Sequence, residues 1–198
     1  MREVPAQIAV KLHSAIGLIA EQGLEGTKID EIADASGVPK ATIYYYFSGK
    51  EEVLAFLLQD MLTEIADESA IAMECQGDAA AKLNAVLTVQ IGRLIANPQL
   101  STALIGELGR IARTPTLIER LQHAFYAPLV TLLEEGGKDG SLRPTLDATV
   151  TAAAICGAIT TSLLVAAVAP SQTESIPDDL AAKLIDVVLH GLKPATSR

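Results

Sequence analysis

TKIDEIADASGVPKATIYYYFSGK, spanning residues 27–50, is the stretch whose reading decides the fold. Ile29, Ile32 and Ala33 fall on one face of a short helix. Thr27 is placed to cap that helix, with Asp30 three residues on completing a short capping box. Gly37 supplies a sharp turn, because glycine tolerates positive φ. Pro39 suits the first position of the next helix, where a missing N–H costs nothing. On that second helix Ile43 and Phe47 lie four apart and face inward with Tyr46 beside them. Lys40, Ala41, Thr42, Tyr44 and Tyr45 are left largely outside. Ser48 and Glu51 then form an S-x-x-E capping box for a following helix.

Working outward, apolar periodicity predicts an all-α chain of about nine helices. The first runs from about Ala6 to Gln22, with Leu12, Ala15, Ile16 and Ile19 inward and Gly23 as its stop. A long helix extends from near Lys50 to about Cys75. Further helices are expected at roughly 79–96, 98–112, 115–136, 146–168 and 177–190, separated by Gly- and Pro-containing breaks. No run of alternating β-branched residues bounded by hairpin turns is present.

At 198 residues and 49% apolar content, the chain can bury one medium core or two small ones. There is no Trp, so helices must pack mainly through Ala, Leu, Ile and Val. The net charge is −9, but it is unevenly spread. Residues 1–50 hold five Lys/Arg against six Asp/Glu, and the remainder holds ten against eighteen. No acidic residue falls between Ala35 and Lys50. Cys75 and Cys156 are isolated, without a CxxC or a nearby His, and are expected to be reduced thiols of a cytoplasmic protein. No secretory leader pattern opens the chain. The uncharged stretch Ala148–Thr173 has the length of a membrane span. Its Ala, Thr, Ser162 and Pro170 favour a helix packed on a partner instead.

A helix-turn-helix places its second helix in the DNA major groove and braces it with the first. The quoted stretch meets those demands. Three of the chain's four tyrosines stand in a row, and two must point outward from a short helix. At these residues the chain resembles the tetracycline-repressor (TetR) family of transcription regulators. The matching elements are Gly23, Thr27, Ile32-Ala33, Ala35, Gly37-Val38, Thr42, Tyr44, Tyr46-Phe47, Lys50-Glu51 and Leu54. Position 41 is Ala where the family often has Gly, and position 45 is Tyr where His is frequent. The resemblance implies a three-helix DNA-binding head at residues 1–49 and a helical ligand-binding and dimerisation body at 50–198. It implies a homodimer whose ligand alters the separation of two heads and releases a palindromic operator. Carried over by position, the DNA-contacting residues are Thr27, Lys28, Lys40, Ala41, Thr42, Tyr44, Tyr45 and Lys50.

Small residues at close spacing, Ala154, Gly157, Ala158 and Thr161, would let the 146–168 helix approach a second copy. Leu180, Leu184 and Val188 form an apolar stripe on the last helix. A four-helix dimer interface from two copies of each is expected. For the effector, the candidate pocket residues are Gln90, Arg93, Leu94, Glu107, Leu108, Ile111, Leu121, Phe125 and Ile159. That lining points to a small, mostly apolar effector, acyl or terpenoid-like in character. No nucleophile–base pair, metal cluster or phosphate-binding loop is visible, so neither catalysis, a metal nor a cofactor is expected. The competing reading is a helical small-molecule-binding protein without specific DNA binding.

Overall fold

The computed structural model describes residues 3–108, 115–168 and 179–193. Helices account for its architecture, and no strand occurs among the described residues. The elements are α1 (Ala6–His13), α2 (Ile16–Gly26), α3 (Ile29–Ser36), α4 (Lys40–Tyr46), α5 (Lys50–Met73) and α6 (Ala79–Ala96). They continue with α7 (Pro98–Glu107), α8 (Pro115–Leu121), a π-turn (Gln122–Tyr126), α9 (Ala127–Asp139), α10 (Ala148–Val168) and α11 (Leu180–Leu192). By packing, the chain divides into two compact units: residues 1–60 with 97–119, and residues 61–96 with 120–198.

In the first unit α1–α4 and the start of α5 close around Leu12, Ile19, Ile32, Ile43, Phe47 and Leu54, each at most 2% exposed. Phe47 stacks at a tilt on Phe56, ring centroids 5.4 Å apart. The expected single first helix is broken at Ser14-Ala15. Ser14 Oγ donates to the Lys11 carbonyl at 2.7 Å and to the Ala35 carbonyl at 3.0 Å, drawing the ladder into tighter turns. Gly23, at φ 70°, takes the chain out of helical geometry, and Gly37, at φ 63°, makes the turn between α3 and α4. α7 packs on α2, and the Leu24 N–H donates to Glu107 Oε1 at 3.3 Å.

Both anticipated capping pairs shift by one residue. The carboxylate that closes the start of α3 is Glu31, accepting the Lys28 N–H at 2.7 Å. Asp30 turns away to Lys40. At α5 the acceptor for the Ser48 N–H is Glu52 at 2.9 Å, in place of Glu51. Pro39 sits just before the first turn of α4, not within it.

In the second unit α6 packs on α9 and α11, and α10 packs on α9 and the π-turn. Leu83, Leu87, Ile91, Leu129, Leu132 and Ala152 are fully buried. The N-terminus of α6 is held by Asp139, whose Oδ2 accepts the Ala79 N–H at 3.1 Å, and by Ser141 Oγ, which accepts the Ala80 N–H at 3.2 Å. Arg143 N–H donates to the Leu192 carbonyl at 2.8 Å and fastens the end of α11.

The helix expected at 115–136 is interrupted. At Gln122–Tyr126 the ladder widens to a π-turn, with the Ala127 N–H reaching the Gln122 carbonyl. Pro128 explains part of this, since it offers no N–H to the Ala124 carbonyl four residues earlier. The Gln90 side chain takes that place, donating to the carbonyls of Ala124 at 3.0 Å and Phe125 at 3.2 Å.

Candidate nucleic-acid interface and effector site

α4 is held at its base by Ile43 and Phe47, and this fixes what it can present. Tyr44 and Tyr45 are 53% and 59% exposed, Lys40 and Ala41 are exposed, and Thr42 is half-buried. Tyr45 packs edge-on against the half-buried Tyr46, ring centroids 5.0 Å apart, which restrains its ring. Lys28 is exposed at the start of α3. Lys40 Nζ lies 2.5 Å from Asp30 Oδ1, and that hydrogen bond raises the Lys40 pKa. The pair stands in solvent, where such contacts contribute little to stability, so the ammonium can exchange Asp30 for a phosphate.

Two residues assigned to DNA contact have other tasks in this structure. Thr27 is fully buried, and its hydroxyl donates to the Gly23 carbonyl at 2.8 Å. It locks the bend between α2 and α3 and offers no hydroxyl to the surface. Lys50 Nζ donates to the carbonyls of Glu25 and Thr27, both at 3.0 Å. A cation there complements carbonyls at the end of a helix that lack intrahelical partners. The surface set is therefore the exposed Lys28, Lys40, Ala41, Tyr44 and Tyr45 with the half-buried Thr42.

The residues expected to form a pocket fall in both units. Gln90, Leu94, Phe125 and Ile159 are buried in the second unit, as is Leu121. Gln90 is committed on its amide side to the π-turn. Arg93 is committed too: Nε donates to Glu68 at 2.9 Å, a second nitrogen pairs with the same carboxylate, and Nη1 lies 3.0 Å from Glu64. Its charge is already balanced by two carboxylates, which removes the reason to assign it to a ligand. Glu107 and Leu108 belong to the first unit, where Glu107 accepts from Leu24. Ile111 lies outside the described residues. Ser69, absent from the expected set, is fully buried with an unpartnered hydroxyl. Only its position on the inner side of α5 could have flagged it. Burial pushes the Tyr126 phenol up, with Cys156 adding to the shift, and pushes the Cys156 thiol up to about 12. Such a thiol is almost wholly protonated at neutral pH and inert as a nucleophile.

Residues 12–56 match the family model described as bacterial regulatory proteins, tetR family. Residues 12–56 thus carry the DNA-binding domain of the tetR family. Among curated relatives is the HTH-type transcriptional repressor KstR2 of Rhodococcus jostii, 28% identical over 138 residues, covering 69% of this chain and 68% of that protein. Another is the fatty acid metabolism regulator protein of Bacillus subtilis, 25% identical, with 75% of this chain and 77% of that protein covered. The fold is that of the ketosteroid transcriptional regulator KstR2 of Mycobacterium tuberculosis, at a TM-score of 0.76 and 20% identity over 97% of both chains. It is also that of FadR from B. subtilis in complex with stearoyl-CoA, at 0.74 and 21% over 92% of this chain and 98% of that one.

On α10, Ala154, Gly157, Ala158 and Thr161 are all exposed. Val150 and Val165 extend the same stripe at 65% and 61% exposure. Among the described residues, none comes within 4 Å of the place a side chain at Gly157 would fill. On α11 Leu180, Leu184 and Val188 are half-buried and Val187 is exposed. By length and composition α10 is apolar enough to cross a membrane, yet only 28% of its most apolar window is buried within the chain.

Proposed function

We propose that this TetR-family chain is a ligand-responsive transcriptional repressor that binds a palindromic operator as a homodimer in the bacterial cytoplasm. The observation that carries the reading is the outward face of α4. Ala41, Tyr44 and Tyr45 stand exposed, with the half-buried Thr42 between them, on a helix anchored by Ile43 and Phe47, inside the matched segment. Thr42 and Ala41 suit base edges and thymine methyls, whereas Tyr44, Lys28 and Lys40 suit phosphates. Residues 1–49 act as the reading head and 50–198 as the ligand-binding and dimerisation body. Six surface groups on one head give modest affinity at physiological salt, and pairing two heads solves that deficit. The uncovered small-residue stripe of α10, with Leu180, Leu184 and Val188 of α11, is the pairing surface. Its Ala, Gly and Thr composition suits close helix approach better than lipid.

The effector is a mostly apolar small molecule, acyl or terpenoid-like, held by Leu94, Leu121, Phe125 and Ile159 around Gln90. Two relatives support this chemistry by their descriptions: one as a ketosteroid regulator, another as a complex with stearoyl-CoA. The test is a mobility shift with DNA from upstream of the chain's own gene, at two salt concentrations, with and without a long-chain acyl-CoA. A sequence-specific, salt-sensitive complex that the acyl-CoA or a steroid dissociates is expected. Absence of any specific complex would favour a helical small-molecule-binding protein without DNA function.

A further inference from the structure

Among the described residues of the second unit, two side-chain oxygens are sealed from solvent without a hydrogen-bond partner: Ser69 Oγ and Gln90 Oε1. Ser69 is 0% exposed and Gln90 1% exposed. Native interiors rarely leave such atoms unpaired, and each one asks for an explanation. The Gln90 amide cannot be turned around to relieve its oxygen. Its nitrogen meets the carbonyls of Ala124 and Phe125, which only accept, so the NH2 group must face them. Ser69 is equally unusual. Ser36 and Thr160 in this chain bond back to the carbonyls of Ile32 and Cys156, four residues earlier, whereas Ser69 does not.

Ion pairs set α5 and α6 side by side. They are joined by the short connection 74–78, and a connection that short turns the chain back on itself. Arg93 reaches both Glu64 and Glu68, so its level on α6 falls midway between them on α5. Three residues back along α6 and the same distance forward along α5 sets Gln90 level with Ser69. Both point inward, by their burial. Opposite them lies the π-turn, a distortion found often at functional sites.

We infer that Ser69 and Gln90 form the polar anchor of the effector site and take a hydroxyl group carried on an apolar ligand. This rests on the reading of the chain as an effector-responsive regulator. One hydroxyl satisfies both atoms: it donates to Gln90 Oε1 and accepts from Ser69 Oγ. A carbonyl or a bare alkyl chain leaves Gln90 Oε1 unpaired, because that oxygen only accepts. A carboxylate is repelled by the same oxygen, and Arg93 is already matched by Glu64 and Glu68. Gln90 thus joins the ligand on one side to the π-turn on the other.

The test titrates the full-length protein with 1-decanol and with decyl methyl ether, which keeps the chain and the oxygen but lacks the donor. Calorimetry is run on the unsubstituted protein and on Ser69→Ala, with an operator mobility shift on the same preparations. The alcohol is expected to bind about tenfold more tightly than the ether, the size of one well-made buried hydrogen bond. Ser69→Ala removes only an unpaired hydroxyl, so it folds with an equal or higher Tm, while both probes lose about threefold in affinity and the preference for the alcohol, which rests on Gln90 Oε1, remains. Equal affinities for the two probes, undiminished binding of both in Ser69→Ala, or binding of neither probe overturns the anchor. So does a crystal structure with decanol in which a water, not the alcohol, bridges the two oxygens. Loss of the operator shift in the unsubstituted protein would instead overturn the regulator reading, so the two failures are distinct.

Discussion

Lys50 shows how one residue can match a family signature and still do something the signature does not state. Its ammonium satisfies two carbonyls at the Glu25–Thr27 bend, and the buried Thr27 hydroxyl secures the same bend from beneath. Lys28, by contrast, is exposed on the proposed DNA side. The two lysines should therefore respond differently to substitution. Lys50→Met is expected to lower stability by about 1 kcal/mol, as for a lost charge-assisted hydrogen bond. It should weaken operator binding without changing its salt slope. Lys28→Ala should leave Tm in place and flatten the log–log salt slope by about 1.8, the value of two phosphate contacts, one from each head of the proposed dimer. Thermal melts and salt-titrated mobility shifts separate these outcomes, and a flattened slope for Lys50→Met would return that residue to the phosphate set. Thr42→Ala should cost about 1 kcal/mol of specific binding and relax sequence preference. At this scale the inward and outward faces of α4 were legible in the pattern, because Ile43 and Phe47 lie four apart. The roles of Thr27 and Lys50 were not, since they depend on carbonyls exposed by the Gly23 bend.

The helices owe their limits to side chains reaching from elsewhere in the chain. Glu52 closes the start of α5 through Ser48, and its pKa is lowered first by the Ser48 N–H and then by the Ser48 hydroxyl. Asp139 closes the start of α6, its pKa lowered by the Ser141 side chain, the Ser141 N–H and the Ala79 N–H in that order. A folded-state pKa below the unfolded one gives stability that is present above the unfolded value and lost as pH falls through the folded value. The melting temperature should hence decline below about pH 4, where free carboxyls protonate. Asp139→Asn and Glu52→Gln should each lower Tm at pH 7 and flatten that decline. An Asp139→Asn protein with the parent's acid profile would remove the cap assignment. The π-turn invites a double-mutant cycle. Gln90→Leu should cost about 2 kcal/mol, since it strands the Ala124 carbonyl. Pro128→Ala restores an N–H for that carbonyl, so the same substitution should cost less in its background. Helix positions such as 79–96 could be read from apolar spacing. The interruption at Gln122–Tyr126 could not, because its sequence is apolar at helical spacing throughout and the distortion depends on Gln90, more than thirty residues away. The capping pairs were legible as a motif and off by one, since two adjacent acids compete at each site.

For the molecule as a whole, the decisive feature is a helix that a single chain leaves half-dressed. α10 carries no charge from Ala148 to Val168, yet Ala154, Gly157, Ala158 and Thr161 are exposed. Periodicity could not reveal this, because a helix apolar on every side shows no preferred face. What the sequence did show was small residues at close spacing, and these are the exposed ones. In the proposed homodimer, covering them with a second copy would bury the stripe and join two α4 helices to one DNA molecule. Half-sites one helical turn apart, about 34–36 Å, would then bind as a linked pair. A charge in the middle of the stripe should undo both effects together. Ala158→Glu would put a carboxylate from each copy into the proposed pairing surface, where burial without a counter-charge is costly. The protein is expected to keep its helical circular dichroism, to run as a monomer by light scattering, and to lose about a hundredfold in operator affinity as the linkage disappears. Pairing through some other surface would leave Ala158→Glu dimeric. A soluble, folded monomer also answers the membrane question, since a bilayer-spanning α10 would leave the chain insoluble in either form.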